Sequence, residues 1–316
     1  MRLIAEEGNV SGPREEGQGR RMRTLLICHE GADLDRVGLA RWLASFSDLC
    51  GVVVLREKGG RTRQRIRREM KRVGAARFLD VLAFRAYYKA FLEARDREWE
   101  RQTLDEMCRA YPDVKSVPEF ITHSPNSPEA EQFIRESGAD IVIARCKTLL
   151  KENVFSLPTR GTFVMHPGIC PEYRNAHGCF WALANDDAER VGMTLLRIDR
   201  GVDTGPVYGF YSYEFDELKE SHIRIQQRVV LENLGALEKK LLDIYAGEAA
   251  PLDTKGKASA VWGQPWLSRY LRWKRRAKLR ASAGAAAAKG RRAVGTREKR
   301  REEQSGAVEP DSVDLR

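Results

Sequence analysis

The sequence has no CxxC pair among its six cysteines, no second copy of its one Asp-Thr-Gly triplet, and no apolar run long enough to span a membrane. Each absence removes a function class. Cys28, Cys50, Cys108, Cys146, Cys170 and Cys179 are scattered and follow no export signal, so they read as free thiols, and nothing supplies the clustered ligands of a zinc site. A lone DTG cannot build an aspartic-protease dyad, which needs two carboxylates sharing a proton. No GxGxxG follows the first strand pattern, so a dinucleotide-binding reading lacks support. The opening stretch MRLIAEEGNVSGPREEGQGRR has no apolar signal core, and Met22, directly before the first strand pattern, is the expected start of the protein. A cytoplasmic location is expected, and no internal repeat is visible.

What is present is unevenly distributed. The chain has 316 residues, 42% of them hydrophobic, with a formal net charge of +10. That length allows one domain with a full core plus appendages. Between Arg269 and Arg301 stand 14 Lys/Arg against the single acid Glu298, a local +13 that leaves −3 for the remainder. The body is therefore close to neutral and no specific nucleic-acid partner is expected, although a basic tail attracts RNA nonspecifically.

Apolar patterning gives the element order. Arg23–Glu30 reads as a buried strand, Leu34–Phe46 as a helix and Cys50–Glu57 as a second strand, a rhythm that implies a right-handed parallel βαβ unit. Thr62–Tyr111 reads as two charged helices with a solvated basic face, an insertion. A loop-rich return with a short strand (PEFITH), a helix over Glu129–Ser137 and a buried strand over Ala139–Arg145 follow. Next come strand GTFVMH, loop PGICPEYRNAHG, helix CFWALAND, strand GMTLLRID, loop RGVDTG, strand PVYGFYSYEF and one long amphipathic helix over about Ser221–Tyr245. Trp262–Arg276 is aromatic and basic, a composition that suits docking on the domain and also suits a membrane-surface helix. The Ala/Gly/Arg/Lys-rich residues beyond it read as disordered.

The stretch from Phe163 to Tyr208 concentrates the chemistry. His166 and Asp203 are expected just past the ends of neighbouring strands, where open α/β sheets bind ligands. A histidine there can move protons and donate to a developing oxyanion, and a carboxylate can orient it or accept an amine proton. Backbone N–H groups around Gly168 and Gly205 can add donors. Arg145, Cys146 and Lys147 follow a buried strand and line either a ligand cleft or a loop. Asp199 and Asp203 both suit turns, with Asp203 favoured for chemistry. A two-His, one-carboxylate metal centre from His166, His177 and Asp203 satisfies a ligand-type rule but nothing in the spacing demands it, and no metal is expected. His29, His123 and His222 read as surface or capping residues, and Phe180 and Trp181 as core.

The pattern of His166, the loop ending in Pro171 and Arg174, Trp181 on the next helix, and DRGVDTG over Asp199–Gly205 resembles the folate-dependent formyltransferases, over about Ala139–Leu242. The resemblance implies a formyltransferase-like α/β fold, a Rossmann-type, mostly parallel sheet with helices on both faces. It makes His166 and Asp203 the catalytic residues, and 10-formyltetrahydrofolate the co-substrate, with Arg145, Cys146, Lys147, Gly168, Asp199 and Gly205 around it. The family's Asn falls on Val164, and its Ser two residues after the His falls on Gly168. Val164 offers no side-chain donor to the formyl oxygen, so Asn175, His177 and Arg174 are the candidates to contact oxyanion or substrate.

The expected organisation is an extension over residues 1–21, a catalytic domain over 22–247 with the insertion at 62–111, the aromatic/basic segment 248–276, and a tail over 277–316. The expected function is formyl transfer to an amine. Methionyl-tRNA formyltransferases add a C-terminal β-barrel, and the tail-like residues after Gly247 favour an amino sugar or another small amine over methionyl-tRNA. The alternatives are a hydrolase that releases formate from the folate, or a silent member that binds folate or a partner. Contact with a membrane surface through 262–276 would make the location peripheral.

Overall fold

The structure is a computed structural model that describes residues 20–57, 70, 74–114 and 116–283. Most of the expected N-terminal extension, the basic start of the insertion (RTRQRIRREMKR, apart from Met70) and the tail from residue 284 onward lie outside the described residues.

The first unit is strand β1 (Arg23–His29), a π-helical turn over Leu34–Leu39 that runs into helix α1 (Ala40–Phe46), and strand β2 (Asp48–Leu55). Helices α2 (Ala75–Phe91) and α3 (Glu93–Ala110) form the insertion. Strand β3 (Glu119–Thr122), helix α4 (Pro128–Ser137), strand β4 (Ile141–Ala144), helix α5 (Glu152–Phe155) and strand β5 (Gly161–His166) follow. The remaining elements are a two-residue strand β6 (Arg174–Asn175), helix α6 (Gly178–Ala184), strands β7 (Met193–Arg197) and β8 (Val207–Tyr211), helices α7 (His222–Leu231) and α8 (Leu234–Ala246), strand β9 (Val261–Trp262), and a helix α9 over residues 267–283.

Seven strands form one sheet in the order β3-β2-β1-β4-β5-β7-β8. The first five pair in parallel, whereas β7 and β8 run antiparallel. Both faces of the parallel strands are buried, which is why their sequences read as continuous apolar runs. Leu26, Val52, Ile143, Phe163 and Met165 face α1, α6, α7 and α8, while Leu25, Val53, Val142 and Ala144 face α4 and α5. The chain reverses direction between β1 and β4, a switch point that opens a crevice at the strands' carboxyl ends.

Local signals explain several boundaries. Helix α4 starts where the Ser127 hydroxyl caps the Ala130 N–H and ends at Gly138 in the left-handed region, φ 59°. The long helix expected over Ser221–Tyr245 is two helices. Asn233 between them donates Nδ2 to the Val229 and Ser212 carbonyls, a side-chain competition with the backbone that ends α7. The strand expected from Pro206 to Phe215 stops at Tyr211.

Two outer segments belong to the core. The insertion packs on the domain: Phe84 lies within 5.8 Å of Phe180 and 5.2 Å of Tyr270, and Met107 lies against Gly38. Helix α9 extends past residue 276, where the tail was expected to begin, and buries Tyr270 and Trp273 in the main cluster.

Candidate active site

Side chains alternate across a strand, so Val164 and His166 share one face of β5 while Phe163 and Met165 point to the other. His166 ends the strand and is 5% exposed. Its Nε2 lies 2.8 Å from the Tyr173 carbonyl oxygen, an atom that only accepts, so Nε2 carries a proton and donates it. Its Nδ1 is then left 3.5 Å from Asp203 Oδ2. A carboxylate oxygen thus faces that nitrogen.

Asp203 reaches His166 by a route that differs from expectation. Because β7 runs antiparallel to β5, the loop after Arg197 leaves from the far end of β5, where Ile198 N donates to Thr162 O. The loop then folds back over the Val164–His166 face. Asp199 Oδ1 accepts from Gly201 N at 2.9 Å and Thr204 Oγ1 at 2.7 Å, so Asp199 is the turn former of the pair. Gly205 has no room for a side chain, since a Cβ there would stand 1.9 Å from Arg197 O. Asp203 takes a left-handed conformation, φ 49°, and its Oδ2 also accepts from Asn175 N at 2.7 Å.

A pocket opens beneath this pair, lined by Ala144, Leu150, Val164, Leu196 and Ile198, with Cys146, Asp199 and Asp203 on it. It has an apolar wall of those five side chains and a polar one that includes Thr148, Asp199, Arg200 and Asp203, a chemistry that suits a flat heteroaromatic group bearing N–H donors. Burial holds the Cys146 thiol up at about 11, so this cysteine enters as a neutral wall residue.

Other candidates are placed differently. Arg145 is a strut inside the fold: its guanidinium meets Asp35 at 3.0 Å and Met165 O at 2.8 Å. Lys147 is exposed, its backbone N–H bonded to His29 Nε2. Arg174 donates to Val202 O at 3.1 Å and so braces the Asp203 loop. The Asn175 amide is committed to Trp262 O at 2.5 Å. His177 is buried against His222, ring centroids 5.7 Å apart, and burial, helped by the Lys147 charge, lowers its pKa to about 4. A side chain at Gly168 would collide with Tyr173 O at 2.6 Å and His166 Nε2 at 2.8 Å, so that position is held to glycine by packing.

His222 is not a surface residue. It is 3% exposed among Phe84, Tyr88 and Phe180, and burial keeps its imidazole well below the usual range. Phe180 and Trp181 are core. Among the described residues no three His, Cys, Asp or Glu side chains gather as a metal site, and no helix is long and apolar enough to cross a membrane. The aromatics of 262–276 face the protein instead of a membrane surface: Trp262 stacks on Trp181 at 4.9 Å, and Trp273 has no exposure.

Sequence reasoning missed the backbone partners. Tyr173 O, Met165 O and Trp262 O carry no sequence signal, because any residue supplies a carbonyl.

The family model described as formyl transferase matches residues 95–240. A methionyl-tRNA formyltransferase of Thermotoga neapolitana is 30% identical over 145 residues, 44% of this chain and 46% of its own length. One of Sorangium cellulosum is 31% identical over 142 residues, 43% of each chain. The matched stretch thus spans less than half of these relatives. Among solved structures, glycinamide ribonucleotide transformylase 1 of Symbiobacterium toebii aligns with a TM-score of 0.47 at 14% identity, over 77% of this chain and 100% of its own.

Proposed function

Over residues 95–240 this chain belongs to the formyl transferase family, and on that premise we propose that it transfers a formyl group from 10-formyltetrahydrofolate to an amine. The observation that carries the reading is the His166–Asp203 pair, 3.5 Å apart, with His166 buried and Asp203 half-buried on the lining of the pocket. The folate's bicyclic ring would lie in the slot formed by Ala144, Leu150, Val164, Leu196 and Ile198, with its N–H groups toward Asp199 and the loop carbonyls. Attack by the amine nitrogen forms a C–N bond to the formyl carbon and breaks the bond to the folate nitrogen. The proton released by the amine passes to the Asp203–His166 pair, which returns it to the leaving nitrogen. An imidazole held in one tautomer by Tyr173 O is suited to that traffic, because its single free nitrogen faces the reacting groups.

An amino sugar or another small amine is the favoured acceptor. The described residues beyond Gly247 form a two-residue strand and a helix packed on the domain, with no further domain of their own among them. One observation favours a second reading. Val164 puts a hydrocarbon where a donor to the formyl oxygen is wanted. A hydrolase, or a protein that binds folate without turnover, is consistent with that wall.

The test is transfer of a carbon-13 formyl group to a panel of amino sugars and small amines, followed by mass spectrometry. Label on an amine, lost in Asp203→Asn and His166→Gln, supports transfer. Label released only as formate supports the hydrolase, and retention of all label on the folate supports the silent binder.

A further inference from the structure

The pair His166–Asp203 is set by one loop, and that loop is held from outside by a segment far along the chain. Tyr173 gives the carbonyl that fixes Nε2 of His166, and Asn175 gives the N–H that fixes Oδ2 of Asp203. Both lie in the irregular stretch between Pro167 and Gly178, where Asn175 and His177 take positive φ of 77° and 57°. Such a loop, without ladder bonds of its own, does not hold two atoms to a fraction of an ångström.

Residues 260–263 supply what it lacks. Ala260 N donates to Pro171 O and Arg174 N donates to Ala260 O, which starts the parallel pairing Arg174↔Val261 and Asn175↔Trp262. Asn175 Nδ2 donates to Trp262 O at 2.5 Å, Trp262 Nε1 to Glu172 O at 2.9 Å, and Trp181 Nε1 to Gly263 O at 2.8 Å. The Trp262 ring is sandwiched between Tyr173, 5.7 Å away, and Trp181, 4.9 Å away, both stacked. Most of these contacts fall on Tyr173 and Asn175, which touch His166 and Asp203, or on their neighbours Glu172 and Arg174. The segment is itself pinned on both sides: Leu252 N bonds Val207 O before it, and after it α9 buries Tyr270 and Trp273 and ties Lys274 Nζ to Glu217 O and Glu220 O.

We infer that residues 260–263 are a positioning strap for the His166–Asp203 pair, with Trp262 as its central residue. The inference rests on the formyl-transfer reading for its catalytic consequence, but the strap's grip on His166 stands apart from any activity. Trp262 acts through Tyr173 and Asn175 and touches neither reacting atom. This gives the aromatic, basic segment a role in the site's geometry beyond the docking on the domain that its composition suggested.

The test uses the full chain and reads the imidazole directly. Two-bond nitrogen–proton spectra of His166 are recorded for the wild type, Trp262→Ala and Trp262→Phe, alongside formyl transfer and thermal unfolding. In the wild type the spectrum shows the Nε2–H form. In Trp262→Ala that signature is lost to mixed tautomers, and kcat falls on the order of tenfold to hundredfold with KM for the folate substrate within about twofold, since sub-ångström misplacement costs turnover more than binding. Trp262→Phe keeps the ring stack and restores most of both. An unchanged His166 spectrum in a folded Trp262→Ala overturns the strap, and an altered spectrum with unaltered kcat overturns its catalytic consequence. Should Trp262→Ala fail to fold, Asn175→Gly decides by the same readouts, because glycine keeps the positive φ and the N–H to Asp203 while removing the bond to Trp262 O. If the wild type transfers no formyl group, the transfer reading falls and the spectra alone decide the strap.

Discussion

At the scale of single residues, the site departs from its family's pattern at Val164 and Gly168, and the two departures have different causes. Gly168 is closed by packing. Gly168→Ser drives its Cβ into Tyr173 O and His166 Nε2, and is expected to lower both stability and any turnover. Denaturation midpoints and rates of the purified variant check this. Val164 faces the open pocket, so Val164→Asn adds a donor where one fits. On the transfer account it raises kcat by roughly tenfold or more, since a single oxyanion donor is worth about 10²–10³ in other enzymes; no gain in steady-state rate favours a repurposed wall. His177 sets a pH dependence. Its folded pKa near 4 lies below the ordinary value of 6.5, so between those values the unfolded chain binds more protons than the native one. The stability it contributes is full above pH 6.5 and is lost as pH falls toward 4, by as much as about 3 kcal/mol. His222 shifts the same way, and the Lys147 and Arg85 charges also face His177 and disfavour its protonation. Unfolding free energy measured from pH 7 to pH 4 should drop, with a shallower slope in His177→Asn, a residue that tolerates the left-handed φ. His166 and Asp203 were legible as candidates from their types and motif, and the structure brings them within 3.5 Å, whereas the carbonyls and N–H groups that aim them were not legible.

At the scale of elements, the strands were the clearest part of the sequence, because burial on both faces turns β1, β2, β4 and β5 into uninterrupted apolar runs. What could not be read was how elements meet. The antiparallel turn at β7 sends the Asp203 loop back across the sheet, and strand pairing direction has no signature within a single five-residue run. The break between α7 and α8 depends on one Asn side chain finding two carbonyls. The aromatic stretch at Trp262–Trp273 pointed to docking on the domain, with a membrane surface as the alternative, since composition reports that apolar surface needs cover without saying what covers it. Helix α9 is covered by the core, and this can be measured. Trp273→Ala should cost about 3–5 kcal/mol of unfolding free energy, the range for a fully buried aromatic, whereas Leu279→Ser, 61% exposed, should stay within about 0.5 kcal/mol. Chemical denaturation of the two variants separates a packed helix from a loosely attached one. A chain cut after Gly247, which superficially isolates the catalytic unit, removes Tyr270 and Trp273 from the main core along with residues 260–263, and is expected to unfold at lower denaturant than the full chain.

At the scale of the whole molecule, a five-stranded parallel sheet with a switch point between β1 and β4 and two antiparallel strands added at β5 places one crevice on one side of the protein. The crevice of the candidate site is the pocket over β4, β5 and β7, with Asp203 on its lining, His166 facing Asp203 and the strap behind their loop. The central claim is that this crevice receives 10-formyltetrahydrofolate. The measurement that tests it most directly is calorimetric titration of that compound into the full chain, its Asp203→Ala variant and its Leu150→Trp variant, which fills the slot. Binding in the micromolar range, weakened by Asp203→Ala and abolished by Leu150→Trp, is the predicted result. A folded wild-type protein that gives no binding heat at several temperatures, and no protection of the folate from oxidation, would contradict the account.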